Sequence, residues 1–327
     1  MSKPKLFSSH VLYEGPRRFL AEHFDVEYWT ENQRPSRSQV LERVAGKDAM
    51  ICLLTEKVDG ELLDAAGPQL RIVANVAVGF DNIDVPACTA RKVAASNTPG
   101  VLDETTADFT WTLLMAVARR LVEADHLARS GGWLQWNFDL LCGTDVWGKT
   151  LGIIGMGRIG RAVARRALGF RMRVIYNNST RAAAEIETEL NAEFMTQDQV
   201  LQQADFVSLH VPLNLKTRGL MGPAEFRKMK KSAFLINTTR GPVVQEAALV
   251  EALDQGIIAG AALDVFEREP LISDGLRRDN VVLAPHLGSA SVETRTKMAM
   301  IAAENVVALF SGRPLPSPLN PEVLRPA

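Results

Sequence analysis

The segment from Thr150 to Gly160 constrains this chain more than any other. Thr150 to Ile154 is apolar enough to be a buried strand, and it runs directly into Gly155-Met156-Gly157-Arg158-Ile159-Gly160. Beyond it, Ile159, Val163 and Ala167 place an apolar residue at every fourth position, as one helix face requires. Gly155, Gly157 and Gly160 form G-x-G-x-x-G in the strand–turn–helix context that gives the motif its meaning. The first glycine permits the tight turn and the second lets a pyrophosphate approach the backbone. The third lets the helix pack closely on the strand. The helix start at Arg158 and Ile159 then offers unpaired N–H groups and a partial positive charge to phosphates.

Composition narrows the class. A chain of 327 residues suggests two domains, at roughly 100–200 residues each. Its 46% hydrophobic and 23% charged residues are those of an ordinary globular protein. A net charge of −1 gives no footprint for nucleic acid. Cys52, Cys88 and Cys142 are odd in number and far apart, without metal-ligand spacing. No metal site is expected, and a reduced, cytoplasmic setting fits. The start, Met1-Ser2-Lys3-Pro4-Lys5, lacks the apolar core of a signal peptide. No apolar run approaches the ~20 residues that span a bilayer. The proline-rich tail Arg313 to Pro318 reads as extended, a surface strap or a frayed end.

Short apolar strands alternate with helical stretches throughout, the pattern of parallel α/β sheets. Ala49 to Leu54, Arg71 to Val76 and Lys92 to Ala95 are expected strands of a first unit. One long helix is expected from Glu104 to Arg129, with Asp103 as its cap and Gly131-Gly132 as its stop. Phe109, Leu113, Val117 and Leu121 would form its packed face, and such a helix could link two domains. A second unit has expected strands at Thr150 to Ile154, Arg173 to Tyr176, Phe206 to Leu209, Ala233 to Asn237, Gly260 to Leu263 and Val281 to Ala284. Helices between six strands suit a doubly wound, Rossmann-type sheet, whose ligands sit beyond the carboxyl ends of the strands. A last helix, Val292 to Phe310, has no following strand there and could cross back to the first unit.

Three strand ends carry a polar constellation. Asn237-Thr238-Thr239-Arg240-Gly241 follows one strand, Asp264 and then Glu269 another, and Pro285-His286-Leu287-Gly288 a third. Arginine can hold a carboxylate in a bidentate fork. A carboxylate beside histidine favours imidazolium and orients the ring. That pair can protonate a ketone oxygen as hydride arrives. His210, in His210-Val211-Pro212-Leu213, also follows a strand and reads as a wall of the cofactor pocket. No nucleophile elbow, Walker lysine loop or metal-ligand cluster competes.

On these residues the chain resembles the D-isomer-specific 2-hydroxyacid dehydrogenases. The matching segments are Gly148 to Gly155, Ala204 to Leu213, Ile236 to Gly241, Leu263 to Pro270 and Pro285 to Ala290. The resemblance implies two parallel-sheet α/β domains, with a Rossmann-type cofactor domain (102–288) inserted into a flavodoxin-like substrate domain (1–101 and 289–327). It implies hydride transfer between a nicotinamide and a 2-oxoacid, with Arg240 binding substrate, Glu269 as the partner carboxylate and His286 as acid/base. Backbone N–H groups of Val78 and Gly79 would hold the substrate carboxylate, and Leu54 would line the same pocket. Thr106, Arg158, Ile159, Val211, Pro212, Thr238, Asp264, His286 and Gly288 would contact the cofactor. Within the family, Gly131-Gly132-Trp133-Leu134-Gln135-Trp136 and Leu141-Cys142-Gly143 are similar to the glyoxylate/hydroxypyruvate reductases. There the second tryptophan reaches the neighbouring subunit's site, so a homodimer is implied with the Glu104–Arg129 helix in its interface. Trp133 and Trp136 could equally just pack at that interface.

Cofactor choice is read after the second strand of the cofactor domain. An NAD-selective site has Asp or Glu about 20 residues beyond the glycines. Asn178 stands there instead, followed by Ser179, Thr180 and Arg181, all able to bind a 2′-phosphate. NADP(H) is therefore the expected cofactor, with NAD(H) as a second. Arg181 could instead be an exposed residue in a surface ion pair. The expected activity is reduction of glyoxylate and hydroxypyruvate. A 2-ketogluconate reductase and a non-catalytic NAD(P)-sensing protein are the alternatives.

Overall fold

The structure, a computed structural model, describes residues 2–324. Met1 and residues 325–327, which the expected substrate domain includes, lie outside the described residues. Two compact units form: residues up to Leu102 together with those from Ala290 onward, and Asp103–Ser289. Among the described residues no helix is long and apolar enough to cross a membrane, and no cluster of ligating side chains could hold a metal.

The first unit begins with β1 (Lys5–Ser8), α1 (Glu14–His23), β2 (Asp25–Tyr28), α2 (Arg37–Val44) and β3 (Ala49–Cys52). It continues through α3 (Gly60–Ala66), β4 (Ile72–Asn75), α4 (Val85–Ala90) and β5 (Ala94–Ser96). All pairings are parallel, in the order β2-β1-β3-β4-β5. This is the flavodoxin-like doubly wound order. Strands β3 and β4 are buried along their whole length, as central strands covered by helices on both faces must be. Sequence periodicity misses β1 and β2. Strand β1 carries only Leu6 and Phe7 as apolar residues, and β2 is a half-exposed edge whose Val26 and Tyr28 alternate with acids.

The second unit contains α5 (Asp103–Ala118), α6 (Leu121–Arg129), β6 (Thr150–Ile154), α7 (Arg158–Ala167), β7 (Arg173–Asn177), α8 (Ala184–Leu190) and β8 (Ala192–Phe194). After them come α9 (Gln197–Gln203), β9 (Phe206–Leu209), α10 (Pro223–Phe226), β10 (Phe234–Asn237), α11 (Glu246–Asp254), β11 (Gly260–Leu263) and β12 (Val281–Leu283). Seven parallel strands run in the order β12-β11-β10-β9-β6-β7-β8, one more than the six expected. The added strand, β8, is a three-residue edge. The strand order reverses between β6 and β9. The crevice beyond their carboxyl ends is where such sheets bind ligands. Helix α12 (Val292–Phe310) then returns to the first unit, where Ala299, Ala302, Ala303, Val306 and Val307 pack with Leu6, Ile51, Ile72 and Ala74.

Three expectations are corrected. The long helix from Glu104 to Arg129 is two helices. Arg120 takes a left-handed conformation, φ 50°, and the Ala118 carbonyl accepts from Thr144 N–H at 2.8 Å. A continuous helix would have given that carbonyl to residue 122. The break also turns Leu121 off the packed face into solvent. Asp103 is the first residue of α5 and not a cap outside it. The proline-rich tail is a strap and not a frayed end: Leu315 is buried, Leu319 N–H donates to the Ala95 carbonyl at 2.7 Å, and the Asn320 side chain accepts from Ala95 N–H at 2.8 Å. It closes the open edge of β5.

Candidate active site

The glycine turn after β6 has the geometry that a dinucleotide requires. Gly155 has φ +103°, and a Cβ there would meet the His210 carbonyl at 2.6 Å. A Cβ at Gly160 would lie 2.2 Å from the Gly155 carbonyl oxygen, so only glycine lets α7 pack this close. Gly157, the N-cap of α7, has open space around its missing Cβ. A pyrophosphate can therefore approach the first N–H groups of a ten-residue helix, with Arg158 and Ile159 in its first turn.

The segment after β7 is partly committed within the chain. Asn178 Oδ1 accepts from Met156 N–H at 3.2 Å, tying the segment to the glycine turn, and Asn178 Nδ2 donates to the Thr180 carbonyl at 2.8 Å. Ser179 and Thr180 are exposed. Arg181 puts both arms of its guanidinium on Glu187, at 2.9 and 2.8 Å. Tyr176 adds its hydroxyl to the same carboxylate at 2.6 Å. The Arg181 fork, followed by the Tyr176 bond, holds the Glu187 carboxyl down to about 2. After β9, burial holds the His210 imidazole neutral, at about 3, with Nε2 2.8 Å from Ser208 Oγ. Val211 is half-buried and Pro212 exposed beside it.

The polar strand ends of the same unit meet. His286 Nδ1 lies 2.8 Å from Glu269 Oε2, and Glu269 Oε1 accepts from Phe266 N–H at 3.0 Å. Burial pushes the Glu269 carboxyl up. The His286 bond, the Phe266 N–H and the Arg240 charge outweigh it, leaving the carboxyl below its ordinary value. His286 has φ 57°, a conformation few non-glycine residues adopt, and its N–H is held by the Asp264 carbonyl at 2.8 Å. The Asp264 side chain accepts from Leu287 and Gly288 N–H at 2.6 and 2.8 Å. It therefore shapes the loop that presents His286. Burial raises its carboxyl despite those two bonds. Thr106 lies beside Gly288, and Thr238 is joined through its hydroxyl to Thr110 at 2.9 Å.

Sequence reasoning missed what aims Arg240. Buried Asn237 accepts from the Thr239 N–H and hydroxyl at 3.1 and 2.8 Å and donates to the Arg240 carbonyl at 3.1 Å. Gly241 rests directly on the Phe266 backbone, where a Cβ would fall 1.9 Å from the carbonyl. The Arg240 turn is thus seated on the loop that carries Glu269. The readable signal was an asparagine ending an apolar strand, a polar amide with no reason to be buried except to bond backbone.

In the first unit the loop after β4 is aimed in a similar way. The Ala77 carbonyl accepts from Thr98 N–H at 2.9 Å and the Val78 carbonyl from Asn97 Nδ2 at 2.8 Å. In a trans peptide the N–H points opposite its carbonyl. The N–H groups of Val78 and Gly79 are therefore directed away from the segment after β5. Leu54 sits in the loop after β3, half-buried. Trp136 is 74% exposed, within an apolar segment that includes Leu134 at 90% and Phe138 at 87%.

Residues 111–288 match the D-isomer specific 2-hydroxyacid dehydrogenase, NAD binding domain. The chain belongs to this family. Membership makes it an NAD(P)-dependent oxidoreductase. It is 49% identical over 326 residues to the glyoxylate reductase of Korarchaeum cryptofilum, covering 99% of this chain and 98% of that one. The glyoxylate reductase of Thermococcus gammatolerans is 48% identical over 328 residues, with the same coverage of 99% and 98%. The dehydrogenase is also similar to the crystal structure of an NADPH-dependent glyoxylate/hydroxypyruvate reductase from Sinorhizobium meliloti, in complex with NADP and malonate. There the TM-score is 0.88 at 32% identity, covering 100% of this chain and 99% of that chain.

Proposed function

We propose that this enzyme reduces glyoxylate to glycolate and hydroxypyruvate to D-glycerate, with NADPH preferred and NADH accepted. The observation that carries the chemistry is His286 Nδ1 held 2.8 Å from Glu269 Oε2 at adjacent strand ends, with the Arg240 charge acting on the same carboxylate. The nicotinamide, when bound at the glycine turn, supplies the hydride. The chain supplies the rest. Glu269 holds Nδ1 and orients the ring, leaving Nε2 to give a proton to the carbonyl oxygen of the substrate. Arg240 offers a planar fork to the oxygens of the 2-oxoacid. The N–H groups of Val78 and Gly79 receive the substrate carboxylate, and Leu54 lines that subsite. The names of the relatives support the substrate pair.

For the cofactor, Asn178 puts no negative charge where a 2′-phosphate would lie, and Ser179 and Thr180 can donate to it. Arg181 would have to leave Glu187 to join them, which tempers the preference and leaves room for NADH. Thr106, Arg158, Ile159, Val211, Pro212, Thr238, Asp264 and Gly288 complete the cofactor contacts of this reading. The exposed segment carrying Trp136 is assigned to a homodimer interface, with Trp136 at the partner's substrate site. Initial rates with glyoxylate, hydroxypyruvate, pyruvate and 2-ketogluconate, each with NADPH and NADH, test the reading. Glyoxylate and hydroxypyruvate with NADPH should give the highest kcat/KM. A preference for 2-ketogluconate, or equal efficiency with both cofactors, would overturn the corresponding half.

A further inference from the structure

Behind the Val78–Gly79 loop an amide pair joins two loops that leave neighbouring parallel strands, β3 and β4. The Gly79 carbonyl accepts from Asn75 Nδ2 at 3.0 Å, and the same nitrogen donates to Asn82 Oδ1 at 3.1 Å. Asn82 Nδ2 donates in turn to the carbonyls of Leu53 and Glu56, at 3.2 and 3.0 Å. Both ends of one side chain are therefore in use, the oxygen toward the loop after β4 and the nitrogen toward the loop that carries Leu54. Only an amide offers an acceptor and two donors this close together.

The surroundings hold Asn82 itself in place. Its own carbonyl accepts from Val58 N–H at 2.8 Å, and two residues on Asp84 caps α4 through Ala87 N–H at 2.9 Å. The Leu54 loop is pinned from its other side by the buried Glu56 carboxylate, which accepts from Leu53 N–H at 2.7 Å and the Ser9 hydroxyl at 2.6 Å. A backbone N–H binds an anion best when it is already aimed, because no ordering is then needed at the moment of binding.

We infer that Asn82, acting through Asn75, is a positioning residue for the substrate: it locks the Leu54 loop and the Val78–Gly79 loop into one platform and so sets the affinity for the 2-oxoacid. The inference rests on the assignment of Val78 and Gly79 to the substrate carboxylate. Asn82→Asp keeps shape and acceptor but removes both donors, leaving two carbonyls facing a carboxylate. KM for glyoxylate should rise about tenfold, the scale of one or two lost hydrogen bonds. The kcat at saturation and the NADPH dissociation constant, read by fluorescence titration, should stay near wild type, as for a loss of uniform binding. Asn82→Ser, neutral and with one donor, should fall between the two and serves if the Asp variant does not fold.

An unchanged KM in either folded variant overturns the inference. So does a fall in kcat and cofactor affinity together with the rise in KM, which would mark a purely structural role. The underlying assignment is tested separately on wild type. If acetaldehyde, which lacks the carboxylate, is reduced as efficiently as glyoxylate, the carboxylate subsite is wrong and the inference falls with it. If wild type prefers glyoxylate and Asn82→Asp keeps its KM, only the inference falls.

Discussion

The strand-end cluster and the segment from Leu121 to Leu140 belong to the same unit and are built on opposite terms. At the cluster, the chain answers its own polar groups: His286 meets Glu269, Glu269 takes the Phe266 N–H, and Asp264 takes those of Leu287 and Gly288. In the other region α6 buries no residue, and Leu134, Trp136 and Phe138 stand in water. The proposed homodimer would cover this apolar segment. The His286–Glu269 pair is thus made within one unit's own sheet, whereas the apolar segment has no cover among the described residues of its own unit.

The largest expected effect breaks the first side of this contrast. His286→Ala should lower the reduction rate by about 10²–10⁴-fold while cofactor still binds. Unchanged turnover would mean that the cluster is only structural. The second side is broken by Leu134→Asp with Phe138→Asp. Burying two large apolar side chains contributes about 1.5–3 kcal/mol each, so their loss should weaken a dimer by at least roughly a hundredfold. Sedimentation should shift from twice the chain mass to the chain mass. A monomeric wild type would remove the dimer from the reading.

Between these extremes lies the segment after β7, where Arg181 is answered by Glu187 while Ser179 and Thr180 are exposed. Asn178→Asp should turn the cofactor preference toward NADH, by about tenfold in the kcat/KM ratio, since one repelled charge is worth about 1–2 kcal/mol there. A variant that still favours NADPH would show that this segment does not set the choice. An effect of similar size sharpens the cluster itself. Against the effect of burial, Glu269 is held below its ordinary pKa by its bond to His286. Glu269→Gln keeps an acceptor at His286 Nδ1 but removes its charge, so kcat should fall by about tenfold while cofactor still binds, the scale of a charge-assisted hydrogen bond made neutral. An unchanged kcat would show that the Glu269 charge plays no part in the step.

The sequence by itself determined whatever is local. The strand, glycine turn and helix at Thr150–Ala167 occupy the residues that their periodicity marks out, and α12 keeps its expected ends. That Glu269 and His286 meet could be expected because each follows an apolar strand, and parallel strands bring their carboxyl ends to one side of the sheet. What the chain does on returning to itself could not be read. Thr144 takes the Ala118 carbonyl and breaks a helix that the pattern continues. Asn320 closes β5 from 225 residues away. Asn82 bolts together two loops that periodicity treats as unrelated. Periodicity records which face of an element is buried. It does not record which buried donor will find which carbonyl, because that depends on the packing of segments far apart in the chain, and only the tertiary structure decided it.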